Sequence, residues 1–283
     1  MAMTPDVDLV DRTTPSGPVV DAPPAWSITG ETPAQDCSMI EIEAIAKRFV
    51  GPKGETVEAL MPVTLSIPAG QFLSIVGPSG CGKSTLLRII AGLDTPTSGR
   101  LTIAATGVKR PIGFVFQEPV LLPWLSTLAN IRFPLDTDGT PRAEADAVAR
   151  RLIALVGLNG FEDALPHQLS GGMRQRAAIA RALSYDPPIL LMDEPFGALD
   201  LLTRDRLNDE LLNIWSETKK TIVFVTHSVE EAAYLSDRVV VMSARPGRVR
   251  SDHRVDLARP RGEATKLDPT FHRFMATFRQ ELR

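Results

Sequence analysis

The sequence predicts an α/β fold built on a mainly parallel sheet, from three observations. Short β-rich apolar runs at Phe72–Val76, 112–116, 189–192, Thr221–Thr226 and Arg238–Met242 are interleaved with helical patterns at 142–156, 173–184 and 203–218. One of the runs ends in a glycine-rich loop followed by helix formers at 84–91. Hydrophobic residues make up 43% of the 283, enough to fill a core and to exclude global disorder.

Taken from the start, residues 1–38 hold six prolines and six acids against the single Arg12. Their apolar residues have no period, so the segment reads as a mobile tail unable to offset its ordering entropy; an arm packed through Trp26 is the alternative. From Met39 the pattern changes, with Ile40, Ile42 and Ala44 alternating with Glu41 and Glu43 as in a half-buried strand. The uncharged stretch 59–82 is broken by Pro62, Pro68 and Pro78 and diluted by Gln71, so it does not read as a membrane span. The N-terminus lacks the basic and apolar regions of a secretory signal, and any membrane role is expected to run through a partner. Residues 118–168 are helix-like without a strong strand and suggest an inserted helical subdomain, its following helix running to about 184. Residues 249–283 are charged, with a weak amphipathic pattern at Phe271, Phe274, Met275, Phe278 and Leu282. The division expected is a tail over 1–38, a main domain over 39–250 and an extension over 251–283. With 31 basic and 34 acidic residues the net charge is −3, which argues against a protein that coats nucleic acid. Two cysteines, Cys37 and Cys81, cannot form a disulfide framework and suit a reducing compartment.

Chemistry concentrates at strand ends. Gly77, Pro78, Ser79, Gly80, Cys81, Gly82, Lys83, Ser84 and Thr85 satisfy the pattern G-x-x-x-x-G-K-[ST] after a strand and before a helix. The glycines let successive backbone N–H groups curl around phosphate oxygens, and the helix start directs its dipole at the same anion. Lys83 adds a mobile cation for the outer phosphates, and the Ser84 hydroxyl suits Mg²⁺. Cys81 takes a position where the backbone matters most, so no redox role is expected of it. The run 189–192 delivers Asp193 and Glu194, one suited to the metal and the other to a general base, with strand alternation expected to point them to different roles. A parallel sheet gathers its C-terminal strand ends on one edge. That places His227 near the terminal phosphate, and Gln117 where its amide can ligate the metal or sense the attacking water. Ser170, Gly171 and Gly172 open a further helix as another anion site.

The ordered set GPSGCGKST, Gln117, LSGGM, ILLMDE, Ala198-Leu199-Asp200 and His227 resembles the ATP-binding cassette (ABC) ATPases over roughly residues 40–250. The resemblance implies a P-loop NTPase with a mainly parallel core sheet, an antiparallel β subdomain and an inserted helical subdomain. It implies ATP and Mg²⁺ as ligands and a head-to-tail homodimer, in which Ser170, Gly171 and Gly172 hold the γ-phosphate bound to the partner chain and Asp200 reaches across the interface. Phe49 sits where the family stacks an aromatic on adenine, with Val57 sharing the contact; a core position fits Phe49 equally. The apolar segment Val120, Leu121, Leu122, Pro123, Trp124 and Leu125 stands where the family receives a short helix of a transmembrane permease; packing inside the helical subdomain is the alternative.

VLLPW, LSGGMRQR, DEPFGALD and the tail 255–261 are similar to importer ATPases for nitrate, sulfonate, taurine or bicarbonate. The expectation is an energy-coupling ATPase peripheral to the cytoplasmic face of the inner membrane, working with permease subunits and, indirectly, a solute-binding protein, without nucleic acid. An importer of another solute, such as a thiamine precursor, is the alternative. A soluble ABC ATPase acting on DNA or ribosomes fits less well, since one phosphate loop and no long heptad run are present. A scaffold without turnover is opposed by intact Lys83, Glu194 and His227.

Overall fold

The computed structural model describes residues 27–29, 38–52, 54–105, 107–197, 199–243 and 245–283. The tail expected over 1–38 lies outside the described residues except at its end and at β1 (Ser27–Thr29), which runs parallel to β5 (Ser98–Ala104). Trp26, Cys37 and Ala198 also lie outside them.

Two sheets make the frame. The first has the order β1-β5-β2-β3, with β2 (Ser38–Val50) antiparallel to both β3 (Thr56–Pro68) and β5. The second has six strands in the order β10-β9-β4-β8-β7-β6. Here β4 (Phe72–Val76), β6 (Ile112–Val115), β7 (Ile189–Asp193), β8 (Thr221–Thr226) and β9 (Arg238–Met242) are parallel, and β10 (Val249–Arg254) returns antiparallel along β9. The expected parallel core and antiparallel β unit are both present.

The central strands are apolar on both faces because each face meets a different layer. In β4, Phe72 and Val76 join a core with the helices α2 (Thr127–Thr137) to α6 (Val229–Leu235), while Leu73 and Ile75 face a second core shared with β2, β3 and α1 (Lys83–Ile90). In contrast β3 alternates buried and exposed residues, as expected of a sheet with one wet face.

Helix starts follow local chemistry. The hydroxyls of Ser126, Ser170 and Ser228 and the carboxylate of Asp200 accept backbone N–H groups at the starts of α2, α4 (Gly171–Leu183), α6 and α5 (Leu201–Thr218). Between β6 and β7, α2 and α3 (Arg142–Leu155) pack on α4, as the helical subdomain requires. After β10, the short α7 (Glu263–Lys266) leads to α8 (Pro269–Glu281). Phe271, Met275 and Phe278 of α8 are buried, each worth about 1.5–3 kcal/mol, so this amphipathic stripe docks on the main core. Among the described residues no helix is long and apolar enough to cross a membrane.

Candidate functional site

The C-terminal ends of β4, β7 and β8 lie side by side, since Val76 pairs with Thr226 and Asp193 with Val225. The phosphate loop, Asp193, Glu194 and His227 meet there. Gly82, at φ 94, caps the start of α1, and a Cβ on it would come 2.8 Å from the Ala59 carbonyl, so no side chain fits at this point of the turn. Gly77 is similarly confined: a Cβ there would fall 2.6 Å from the Cys81 Sγ. The Cys81 thiol is buried, and burial raises its pKa against the pull of Lys83. Ser79 and Gly80 form the exposed tip, while Pro78 lends its carbonyl to the loop and Thr85 lies in α1.

Lys83 is buried, and its ammonium is folded into its own loop. Nζ donates to Gly77 O at 2.9 Å and Pro78 O at 3.2 Å, and lies 3.6 Å from Glu194 Oε1. Ser84 Oγ donates to Asp193 Oδ1 at 2.7 Å. Burial pushes the Asp193 pKa upward; the Ser84 bond and the charge of Arg88 pull the other way.

Glu194 departs from the expected pleat alternation. It leaves the strand with a left-handed backbone at φ 44 and its N–H bound to Val225 O at 2.9 Å. That turn, rather than strand alternation, sends its carboxylate to Lys83 and to His227, whose Nδ1 donates to Oε2 at 2.9 Å. The His227 loop is braced from behind by Glu231, which accepts from the Thr226 hydroxyl and lies 3.6 Å from Arg204. Arg204 in turn donates to Leu199 O at 3.0 Å, next to Asp200. Arg204 and Glu231 were not among the expected residues, and a lone sequence offers no signal for a pair 27 positions apart.

The other expected residues stand apart from this cluster. Gln117 is exposed two positions beyond β6, whose Val115 pairs with Met192, so it borders the Asp193 strand end. Phe49 is 44% exposed beside Val57 in the register of β2 and β3, with the Lys47 ammonium 4.9 Å from its ring, so it is not a core residue. Ser170, Gly171 and Gly172 form a second group. They lie against the start of α5, where a Cβ on Gly171 would meet Leu199 at 3.3 Å and one on Gly172 would meet Thr203 at 3.0 Å. Asp200 caps that helix by accepting from Thr203 N at 3.0 Å. Among the described residues no hydrogen bond or ion pair joins this second group to Lys83 or Ser84.

The segment after Gln117 is divided. Leu121 is buried, whereas Val120 and Trp124 are exposed, Trp124 at 72%. Its shape is held by the buried Asn130, which accepts from Leu122 N at 2.7 Å and donates to the carbonyls of Leu122, Leu125 and Ser126. Asn130 also went unforeseen, since an asparagine in an apolar helix gives no hint of what it brackets.

A family model described as ABC transporter matches residues 60–197, and another described as a P-loop domain matches 158–257. A protein of Methanocaldococcus jannaschii named an uncharacterized ABC transporter ATP-binding protein is 53% identical over 225 residues, covering 78% of this chain and 84% of the relative. A taurine import ATP-binding protein of Roseobacter denitrificans is 46% identical over 222 residues, 77% of this chain and 83% of the relative. A nitrate import ATP-binding protein of Synechocystis sp. is 44% identical over 235 residues, 82% and 87% of the two chains. A solved dimeric, post-hydrolysis state of an ATP-binding cassette bound to ADP and Pi is 35% identical with a TM-score of 0.67, covering 78% of this chain and 100% of that one. Fold and site thus define a phosphate-loop ATPase of the cassette class. The chain belongs to the family of ABC transporter ATP-binding proteins.

Proposed function

We propose that this ATPase is the energy-coupling subunit of an importer for a small solute such as taurine, nitrate or an aliphatic sulfonate. The names of its relatives support the import direction. The observation that carries the coupling role is the exposed apolar pair Val120 and Trp124, held by Asn130 just beyond Gln117. An apolar patch at the rim of a nucleotide site suits a partner that must sense nucleotide state, here a permease. On this reading the chain is peripheral to the cytoplasmic face of the membrane, with an external solute-binding protein as an indirect partner and no nucleic acid.

Within the site, the ammonium of Lys83 turns from the Gly77 and Pro78 carbonyls to the outer phosphates of ATP. Glu194, oriented by His227, accepts a proton as water attacks the γ-phosphorus and the bond to the bridging oxygen breaks, releasing ADP and phosphate. Gln117 borders the attacking water. Oxygen donors from Ser84 and Asp193, 2.7 Å apart, are the chemistry a hard cation prefers, and the Gln117 amide adds a third, so these residues would hold Mg²⁺. Bound there, the ion neutralises charge on the phosphate oxygens. Phe49 stacks on adenine. Ser170, Gly171 and Gly172 grip the nucleotide of a second copy, with Asp200 across the interface, which accounts for their separation from the phosphate loop within one chain. ATP that touches both copies favours the closed dimer, and its hydrolysis releases it.

The test is co-purification of the chain with its permease from detergent-solubilised membranes. Trp124→Ala is expected to keep ATP hydrolysis and lose the permease; binding that survives the substitution refutes the docking role.

A further inference from the structure

The turn between β9 and β10 lies directly on the phosphate loop. Gly247 anchors it: its N–H donates to Ala59 O at 3.2 Å, and its carbonyl accepts from Met61 N at 2.7 Å. A Cβ on Gly247 would fall 1.8 Å from the Cys81 carbonyl, so the two backbones touch. Across the turn, Ser243 N donates to Arg248 O at 3.0 Å. The turn is therefore fixed on β3 and on the phosphate loop together.

Arg245 extends from this turn over Gly80. A Cβ on Gly80 would lie 2.8 Å from Nη2 and 3.2 Å from Nε, so the guanidinium rests on the exposed tip of the loop. Arg245 is exposed and makes no ion pair or hydrogen bond with the other described residues. Arg238 and Arg259, by contrast, are paired with Asp252 and Asp237. A guanidinium carries five N–H donors in a fixed plane and keeps its charge at any physiological pH. Held beside backbone amides shaped for phosphate, and given no protein carboxylate, such a group matches a polyphosphate oxygen.

We propose that Arg245 is a second cationic contact of the nucleotide site and donates from above Gly80 to the polyphosphate of the bound nucleotide. This rests on the phosphate loop as the nucleotide site and adds a residue outside the motif. A turn after β9 thereby takes part in binding.

The experiment is calorimetric titration of ADP, AMP and adenosine into the full chain, with Arg245→Ala and Arg245→Lys. Arg245→Ala is expected to weaken ADP about tenfold and to leave adenosine unchanged, with Arg245→Lys intermediate. The melting temperature without nucleotide is expected to be unchanged. Unaltered ADP affinity in Arg245→Ala overturns the proposal. So does a defect confined to ATP-driven pairing of two chains, which assigns Arg245 to a carboxylate of the partner. Lys83→Ala serves as the control: if it too binds ADP normally, the phosphate-loop reading itself fails, whereas failure of Arg245→Ala alone removes only this contact.

Discussion

Replacing Glu194 by glutamine separates binding from chemistry. The amide keeps the volume of the side chain and still accepts from His227 Nδ1, now 2.9 Å from Oε2, but it cannot take a proton from water. A positioned general base contributes about 10²–10⁴ in rate, or roughly 3–5 kcal/mol of barrier. The substitution also removes the anion 3.6 Å from Lys83. At an effective dielectric near 20 that attraction is of order 5 kcal/mol before desolvation is subtracted, so Lys83 gives up less when it turns to phosphate. Glu194→Gln is thus expected to lower single-turnover phosphate release by about 10²–10⁴ while ATP binds as tightly as before or more tightly. With magnesium and ATP, light scattering is expected to find the variant as a lasting dimer. Turnover within a factor of ten of the parent at saturating ATP removes Glu194 from the mechanism; loss of ATP binding instead makes its role structural.

Two further outcomes concern the C-terminal segment. Arg261 is buried and donates to the carbonyls of Tyr234 at 2.8 Å and Ser236 at 2.9 Å, and burial pulls its pKa down to about 10. Arg261→Ala is expected to cost about 2–3 kcal/mol in urea unfolding, because charge-assisted bonds at the end of α6 are lost; a cost under about 0.5 kcal/mol refutes the capping role. Glu281 is pushed up by burial, but bonds from Ser251 and His253 and the charges of His253 and Arg250 outweigh this and hold it below its ordinary 4.5. The unfolded chain thus binds the proton more readily, so the contribution of Glu281 is present above the ordinary pKa and fades as pH falls through the folded one. Glu281→Gln is expected to lower stability by less than about 1 kcal/mol at pH 7 and by nothing once the pH is well below 4.5, as followed by thermal melts across pH.

Strands buried on both faces were legible because they must be apolar throughout. Phe72–Val76, Thr221–Thr226 and Arg238–Met242 match their elements end to end. The sheet that packs beside them was less legible. β3 carries Pro62 and Pro68 and one wet face, and β5 mixes polar and apolar residues, so neither reads as a strand without its partners. β10, VRSDHR, is strand only because β9 offers it a ladder. At the candidate site, the gathering of the phosphate loop, Asp193, Glu194 and His227 at one sheet edge was legible from residue type and order. What supports them was not. Arg204 and Glu231 brace the His227 loop, Asn130 shapes the segment after Gln117, and Arg259 and Arg261 tie the tail to α6. Each acts by proximity in space, which one sequence does not record.

The left-handed backbone of Glu194 carries a lesson for engineering. At φ 44 a residue with a Cβ is held at a cost of roughly 1–2 kcal/mol that glycine would not bear. Glycine or asparagine at this position would relieve that strain, but each would also remove the carboxylate that pairs with Lys83 and accepts from His227, and silence the enzyme. A library meant to yield a sturdier yet working pump motor has to keep that codon fixed.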